Sequence, residues 1–184
     1  REALAEELQL PAPPQRMECF DISHTQGEGT VASCVVFGTD GPLKKDYRRF
    51  NITGVAPGDD YGALRQALER RYTRIRDGEI PAPDLLFIDG GAQQIAQVHA
   101  VLEPLGFGAL KLVGVSKGPD RRPGQERLHV FGEELPLIPG AESAALKLVQ
   151  RIRDEAHRFA IAGHRRKRAR RFNESVLEAV PGLG

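Results

Sequence analysis

The sequence predicts an α/β domain: a mixed five-stranded sheet flanked by helices, with an extra hairpin and a long C-terminal helix. Three observations predict it. Strand-like runs come first, at 17–23, 30–37 and 44–52, joined by turn chemistry at 26–29 and 39–42, which makes an antiparallel meander. The apolar spacing then switches to the helical period over 60–75. Short continuous apolar runs at 85–88 and 110–115 follow, bracketing a helix over 92–102, as in a parallel β-α-β pair buried on both faces. A doubly wound fold would alternate strand and helix from the start, and this chain does not.

Each element has its own signal. Residues 1–10 read as a short helix, stopped by Pro11, Pro13 and Pro14, so 1–15 are taken as a linker or the end of a preceding segment. The helix over 60–75 places Leu64, Ala67, Leu68 and Tyr72 on one face, behind a Pro-Gly-Asp-Asp start that supplies an acidic cap. The run at 85–88 closes on Asp89-Gly90-Gly91. Residues 116–126 form a basic loop rich in glycine and proline, and 127–131 with 134–137 read as the hairpin. The last long element starts near 142 and extends at least to 161, with Leu146, Val149, Ala156 and Phe159 on adjoining faces.

Composition narrows the function classes. The chain has 184 residues, enough to bury a core without staples, and no apolar run long enough for a membrane helix. Cys19 and Cys34 lie in apolar runs and read as buried thiols, and a cytoplasmic location follows by default. Net charge is only +1, yet nine residues between Arg151 and Arg171 are Arg or Lys and only Asp154 and Glu155 are acidic. Such a cluster attracts a polyanion, and nucleic acid is the leading partner. Taken as a helix face alone, it also fits simple solvation.

Three residues carry the chemistry. Asp21 interrupts an apolar strand, where a carboxylate is disfavoured unless it is paired, solvent-facing or bound to a metal. Asp89 closes a strand at its carboxyl end, where open α/β sheets place ligands, and two glycines let the backbone approach closely. The helix that follows would offer N–H groups to a phosphate. His157 lies within a helix, one turn beyond Arg153, and suits a metal ligand or a proton carrier near neutral pH. His24 adjoins the first strand and is a weaker candidate for the same cleft; His164 falls in the basic run, and His99 and His129 have no comparable setting. Two carboxylates from neighbouring strands suit a hard divalent cation, Mg²⁺ or Mn²⁺, that would assist phosphodiester hydrolysis.

These residues lie in blocks that resemble a known family. Residues 17–24 (Met-Glu-Cys-Phe-Asp-Ile-Ser-His) resemble the opening block of the UvrC endonuclease domain. Those at 47–52, 57–61, 86–91, 116–121 and 153–161 follow in the family's order. The resemblance implies a ribonuclease H-like fold, an order of elements this chain has, over residues 16–172. It also implies an Asp-Asp-His set carried by Asp21, Asp89 and His157, a divalent metal, and the 5′ incision in double-stranded DNA beside a lesion. UvrB and UvrA are the implied partners, through segments this chain lacks. Asp60 also matches a family carboxylate, but here it opens a helix and is assigned a supporting role; Asp120, in the basic loop, ranks below Asp21, Asp89 and His157. Lys117, Arg121, Arg122, Arg158, Arg165, Arg166 and Arg168 are expected on the DNA backbone. Residues 173–184 resemble the lead-in to a truncated helix-hairpin-helix module. The family often has Lys after Asp89-Gly90-Gly91, but here Ala92 follows, and Lys117, Arg121 or Arg122 are the substitutes expected for its phosphate contact.

Two other readings compete. A non-catalytic DNA-binding or docking module on the same scaffold uses the basic residues equally well but gains nothing from paired acids near a polyanion. A nucleotide-binding or phosphatase-like domain built on Asp89-Gly90-Gly91 lacks any accompanying phosphate-loop or dinucleotide fingerprint.

Overall fold

The computed structural model describes residues 1–25 and 29–179; beyond Gly163, side chains are described only at Asn173. In chain order the elements are α1 (Glu2–Glu7), β1 (Met17–Thr25), β2 (Gly29–Gly38), β3 (Gly41–Pro42), β4 (Arg48–Ile52), α2 (Asp60–Arg76), β5 (Leu85–Asp89), α3 (Ala92–Leu102), β6 (Lys111–Ser116), β7 (Arg127–Val130) and α4 (Ala144–Ala179). The sheet runs β3-β2-β1-β5-β6-β7, with β4 also paired to β2. β1 pairs antiparallel to β2 and parallel to β5, and β5 pairs parallel to β6. This is the ribonuclease H-like arrangement: an antiparallel meander joined through its first strand to a β-α-β pair.

Strand alternation sorts the core into two layers. Met17, Cys19, Val35, Phe37, Leu85, Phe87, Val113 and Val115 pack beneath α4, through its Leu146, Val149, Ile152 and Ala156. Phe20, Cys34, Val36, Leu86, Ile88 and Leu112 pack beneath α2 and α3, through Leu68, Tyr72, Ile95 and Val98. The five strands expected from the sequence form the centre of the sheet, and two short ones extend it. Three details differ from expectation. Residues 1–15, set apart as a linker, contribute Leu4 and Leu8 to the layer under α4, because the six-residue α1 turns its apolar side inward. Residues 44–46 form a 3-10 turn, so the third meander strand starts only at Arg48. The hairpin over 127–137 is reduced: β7 joins the main sheet antiparallel to β6, and only Leu137 bridges back, to Leu128. Leu135 stays 79% exposed, so alternation there has no face to bury.

α4 has 36 residues, about 54 Å of helix. It continues through the basic run and residues 173–179, whereas 180–184, the rest of the expected helix-hairpin-helix lead-in, lie outside the described residues. Among the described residues, no helix is long and apolar enough to cross a membrane.

Candidate metal and nucleic-acid site

The strand register sets the site. Phe20 pairs with Ile88, so the next residues, Asp21 and Asp89, stand side by side where the parallel pairing of β1 with β5 ends. Alternation turns both toward α4, since Cys19 and Phe87 already face it. α4 brings Arg153 and His157 to the same layer; their spacing of one helical turn puts them on one side. Asp21, Asp89, Arg153 and His157, with Lys117 and Arg121 from the basic loop, line one cleft of about 550 Å³. The sequence thus named three residues that the fold places around one opening.

The contacts are specific. Arg153 Nη2 lies 3.5 Å from Asp89 Oδ1, while the Asp89 side chain remains 71% exposed. Ser23 Oγ donates to Asp21 Oδ2 at 3.4 Å. Directly under the two acids sits the Cys19 thiol, whose pKa is pushed up to about 12 by burial and then by the field of Asp21. It is an inert thiol. Among the described residues, no group of three or more His, Cys, Asp or Glu side chains is arranged to hold a metal ion. Arg153 supplies the positive charge beside Asp89.

The turn after β5 depends on its glycines. Gly90 has φ +140°, and a Cβ there would lie 2.7 Å from Gln94 Cγ. Gly114 on β6 passes beneath this turn, where a Cβ would come within 2.6 Å of the Gly90 carbonyl oxygen. At the start of α3, Gly91 N–H donates to Gln94 Oε1 at 2.9 Å. That N–H, one of those expected to face a phosphate, is already engaged.

The remaining expected residues divide. Lys117 and Arg121 line the cleft; Arg122 and Asp120 are exposed and do not. Arg121 adopts a left-handed φ of 54° at the tip of the loop. Arg158 is turned aside and hydrogen-bonded to Glu155. The side chains of Arg165, Arg166 and Arg168, like that of His164, lie outside the described residues. Asp60 opens α2, capped by Asp59, and lines a second cavity that also touches Asp21 and Asp89. His24 Nε2 donates to Asp60 Oδ1, and His24 Nδ1 faces Thr30 Oγ1 at 2.8 Å. Asp60 thus approaches the two acids from the α2 side, held by the histidine that sequence ranked as a weak lining residue.

Sequence reasoning missed three supports. Arg153 was visible only as one cation among nine, although its spacing to His157 was a signal. Glu126, only 8% exposed, accepts from Gly124 N at 2.9 Å and from Gln150 Nε2 at 3.2 Å, which ties the basic loop to α4. Arg49 donates from Nη2 to the Phe159 carbonyl at 2.8 Å and stacks 3.7 Å over the Phe159 ring, which fixes α4 just beyond His157.

The chain matches known proteins along most of its length. A family model described as "UvrC RNAse H endonuclease domain" matches residues 5–161. The chain is 60% identical over 184 residues to UvrABC system protein C of Alkalilimnicola ehrlichii, covering 100% of this chain and 30% of that protein. It is 57% identical over 183 residues to the protein of the same name from Pseudomonas aeruginosa, with the same coverage. The chain therefore spans about 30% of the length of these curated relatives. Among solved structures, Ciona intestinalis endonuclease V in complex with an inosine-containing DNA shares 13% identity over 57% of this chain and 46% of that one, with a TM-score of 0.42. The catalytic domain of human endonuclease V shares 22% identity over 58% of this chain and 46% of that one, with a TM-score of 0.42.

Proposed function

The chain belongs to the UvrC RNase H endonuclease domain family, and from that premise we propose that it is a divalent-metal-dependent endodeoxyribonuclease making the 5′ incision beside damaged DNA in nucleotide excision repair. The observation that carries this reading is the side-by-side placement of Asp21 and Asp89 in a cleft that also holds His157, Lys117 and Arg121. Two acids beside a polyanion repel it unless a cation stands between them.

The donor set fits a hard cation in kind: two carboxylates and an imidazole, with Arg153 now providing the positive charge. Asp21 and Asp89 would hold Mg²⁺ or Mn²⁺. The ion supplies charge neutralisation on the phosphodiester and lowers the pKa of water. The chain's own residues do the rest. Lys117 and Arg121 position the phosphate backbone without reading bases. His157, exposed on the cleft wall, either joins the ligand set or accepts the proton of the attacking water. Arg153, which lines the same cleft beside Asp89, would add a guanidinium to the phosphate's surroundings. Damage is presented by the partners of the longer protein, UvrB and UvrA, in the cytoplasm.

A binding-only module is the second reading. It draws on the absence, among the described residues, of a converged three-donor cluster. A crystal soaked in Mn²⁺ separates the two. An anomalous peak within ligand distance of Asp21 and Asp89 is expected; its absence, with Arg153 still on Asp89, would leave the docking module as the better account.

A further inference from the structure

The cleft occupies one flank of α4, and the opposite flank carries cations of its own. Arg151 and Arg153 are two residues apart, about 200° around the helix, so they leave α4 on opposite sides. Arg153 lines the cleft. Arg151 is exposed and lies over the outer strands of the meander. Its guanidinium stands 5.5 Å from the centre of the Phe37 ring on β2, and its Nη2 lies 3.6 Å from where a Cβ on Gly41 of β3 would be. Lys44 and Lys45 follow β3 on the 3-10 turn, Arg48 opens β4, and all three are exposed. Arg48 Nη1 donates to the Lys45 and Tyr47 carbonyl oxygens at 2.8 and 2.7 Å, which fixes this guanidinium against the turn. The Tyr47 ring packs edge-on against Phe159 of α4, with centroids 5.0 Å apart, so turn and helix form one surface. Among the described residues, none of Lys44, Lys45, Arg48 and Arg151 is in an ion pair. Asp46 beside them is already paired with Arg16, which leaves Asp40 as the exposed acid of the segment 40–48.

We propose that this edge is a second phosphate-binding surface, which holds the strand of the duplex that is not cut while the cut strand lies in the cleft. It rests on the nuclease reading above. Four exposed cations without a paired acid attract a polyanion, and Lys and Arg at a surface hold phosphates without reading bases. The width of α4 assigns the edge to the other strand. With its side chains the helix is about 10–12 Å across. The major groove of a B-form duplex is about 12 Å wide between its two backbones. A duplex whose major groove faces α4 therefore sets one backbone over the cleft and the other over the edge. A single strand engages the cleft alone.

The test measures fluorescence anisotropy with a short labelled duplex and, separately, with one of its strands, in EDTA so that neither is cut. Lys45→Gln combined with Arg151→Gln should weaken duplex binding about tenfold or more at about 0.1 M salt, and lower the salt slope by about 2. Its affinity for the single strand should stay within about twofold of the parent. Lys44→Gln combined with Lys45→Gln alters the turn alone and should act in the same direction. Lys117→Ala, in the cleft, should weaken both ligands. Arg74→Gln, an exposed cation on α2 across the sheet, should change neither by more than about twofold. Duplex binding that stays at the parent level in both paired variants would overturn the proposal and give the edge to an acidic protein partner instead. Equal losses on duplex and single strand, or a loss matched by Arg74→Gln, would also overturn it. The nuclease reading fails separately, through a missing Mn²⁺ peak. A duplex-selective loss at the edge with Lys117→Ala inert would overturn the arrangement of one strand on each flank of α4.

Discussion

Glu18 and Asp21 sit on the same strand, on opposite faces of the sheet, and their surroundings differ in kind. Glu18 is fully buried and fully answered. Arg71 donates Nε to its Oε1 at 3.0 Å and Nη2 to its Oε2 at 2.8 Å, and the Tyr72 hydroxyl adds a bond of 3.0 Å. Asp21 instead stands beside a second acid, Asp89, in an open cleft. A carboxylate complemented on this scale is part of the framework, because burial without partners would cost several kcal/mol. Asp89 keeps 71% of its side chain exposed and Asp21 is only partly buried, so neither is enclosed with a cation as Glu18 is. On the nuclease reading proposed above, they would serve a cation that arrives from outside.

The largest effect expected tests the framework half. Arg71→Leu leaves Glu18 buried without its cation and should cost about 3–5 kcal/mol in denaturant unfolding. A loss below about 1 kcal/mol would break the comparison, because Glu18 would then be no more dependent on its partner than an exposed acid. Asp89→Asn tests the other half. It should lower Mn²⁺-dependent cleavage by about 100-fold or more, the scale of several kcal/mol that a metal contributes to such a transition state. Its stability should stay within about 0.5 kcal/mol of the parent, since the side chain is 71% exposed. Affinity for DNA should hold or rise slightly, as one negative charge is gone. Normal cleavage by this variant would remove Asp89 from the site.

The two halves were not equally legible in the sequence. Asp21 and Asp89 stood out because acids are rare in strands and at the ends of apolar runs, and the alternation that buries Cys19 and Phe87 also aims both acids at α4. Glu18 did not stand out. Its partners lie 53 and 54 residues away, and on α2 alone Arg71 reads as part of the polar face. Pairing of that kind is a product of packing, and periodicity carries no trace of it. The same holds for Glu126, which looks like one more loop acid until the fold sets Gln150 beside it. At 134–137 the error ran the other way: local alternation suggested a strand, but no neighbouring strand takes up its hydrogen bonds beyond the single bridge at Leu137.

Smaller effects sharpen the division between cations that hold the fold and cations that meet DNA. Binding to duplex DNA should weaken steeply from 50 to 300 mM NaCl, as released counterions require. Lys117→Ala should reduce the slope of log K against log salt by about 1, with unfolding unchanged within about 0.5 kcal/mol. Arg122→Ala, whose side chain lies outside the cleft, should change the slope less. Equal slopes for the two variants would mean that the cleft is not the path of the backbone.

Arg121 joins both roles in one residue, and its variant should separate them. Its φ of 54° lies in the left-handed region, which costs a residue with a Cβ roughly 1–2 kcal/mol relative to ordinary backbone. The loop holds it there through Arg121 N–H to the Gly118 carbonyl at 3.0 Å and through the Glu126 anchor two turns of chain later. Arg121→Gly removes the strain, but glycine also frees the unfolded chain, so the net gain in stability should be small, about 0.5 kcal/mol or less. DNA affinity should nevertheless fall, with a salt slope lower by about 1, because the guanidinium is lost. Such a variant, no less stable and yet a weaker binder, would mean that the strained conformation is kept for the phosphate. If Arg121→Gly instead destabilised the chain and left binding intact, Arg121 would belong with Arg71 among the cations of the framework.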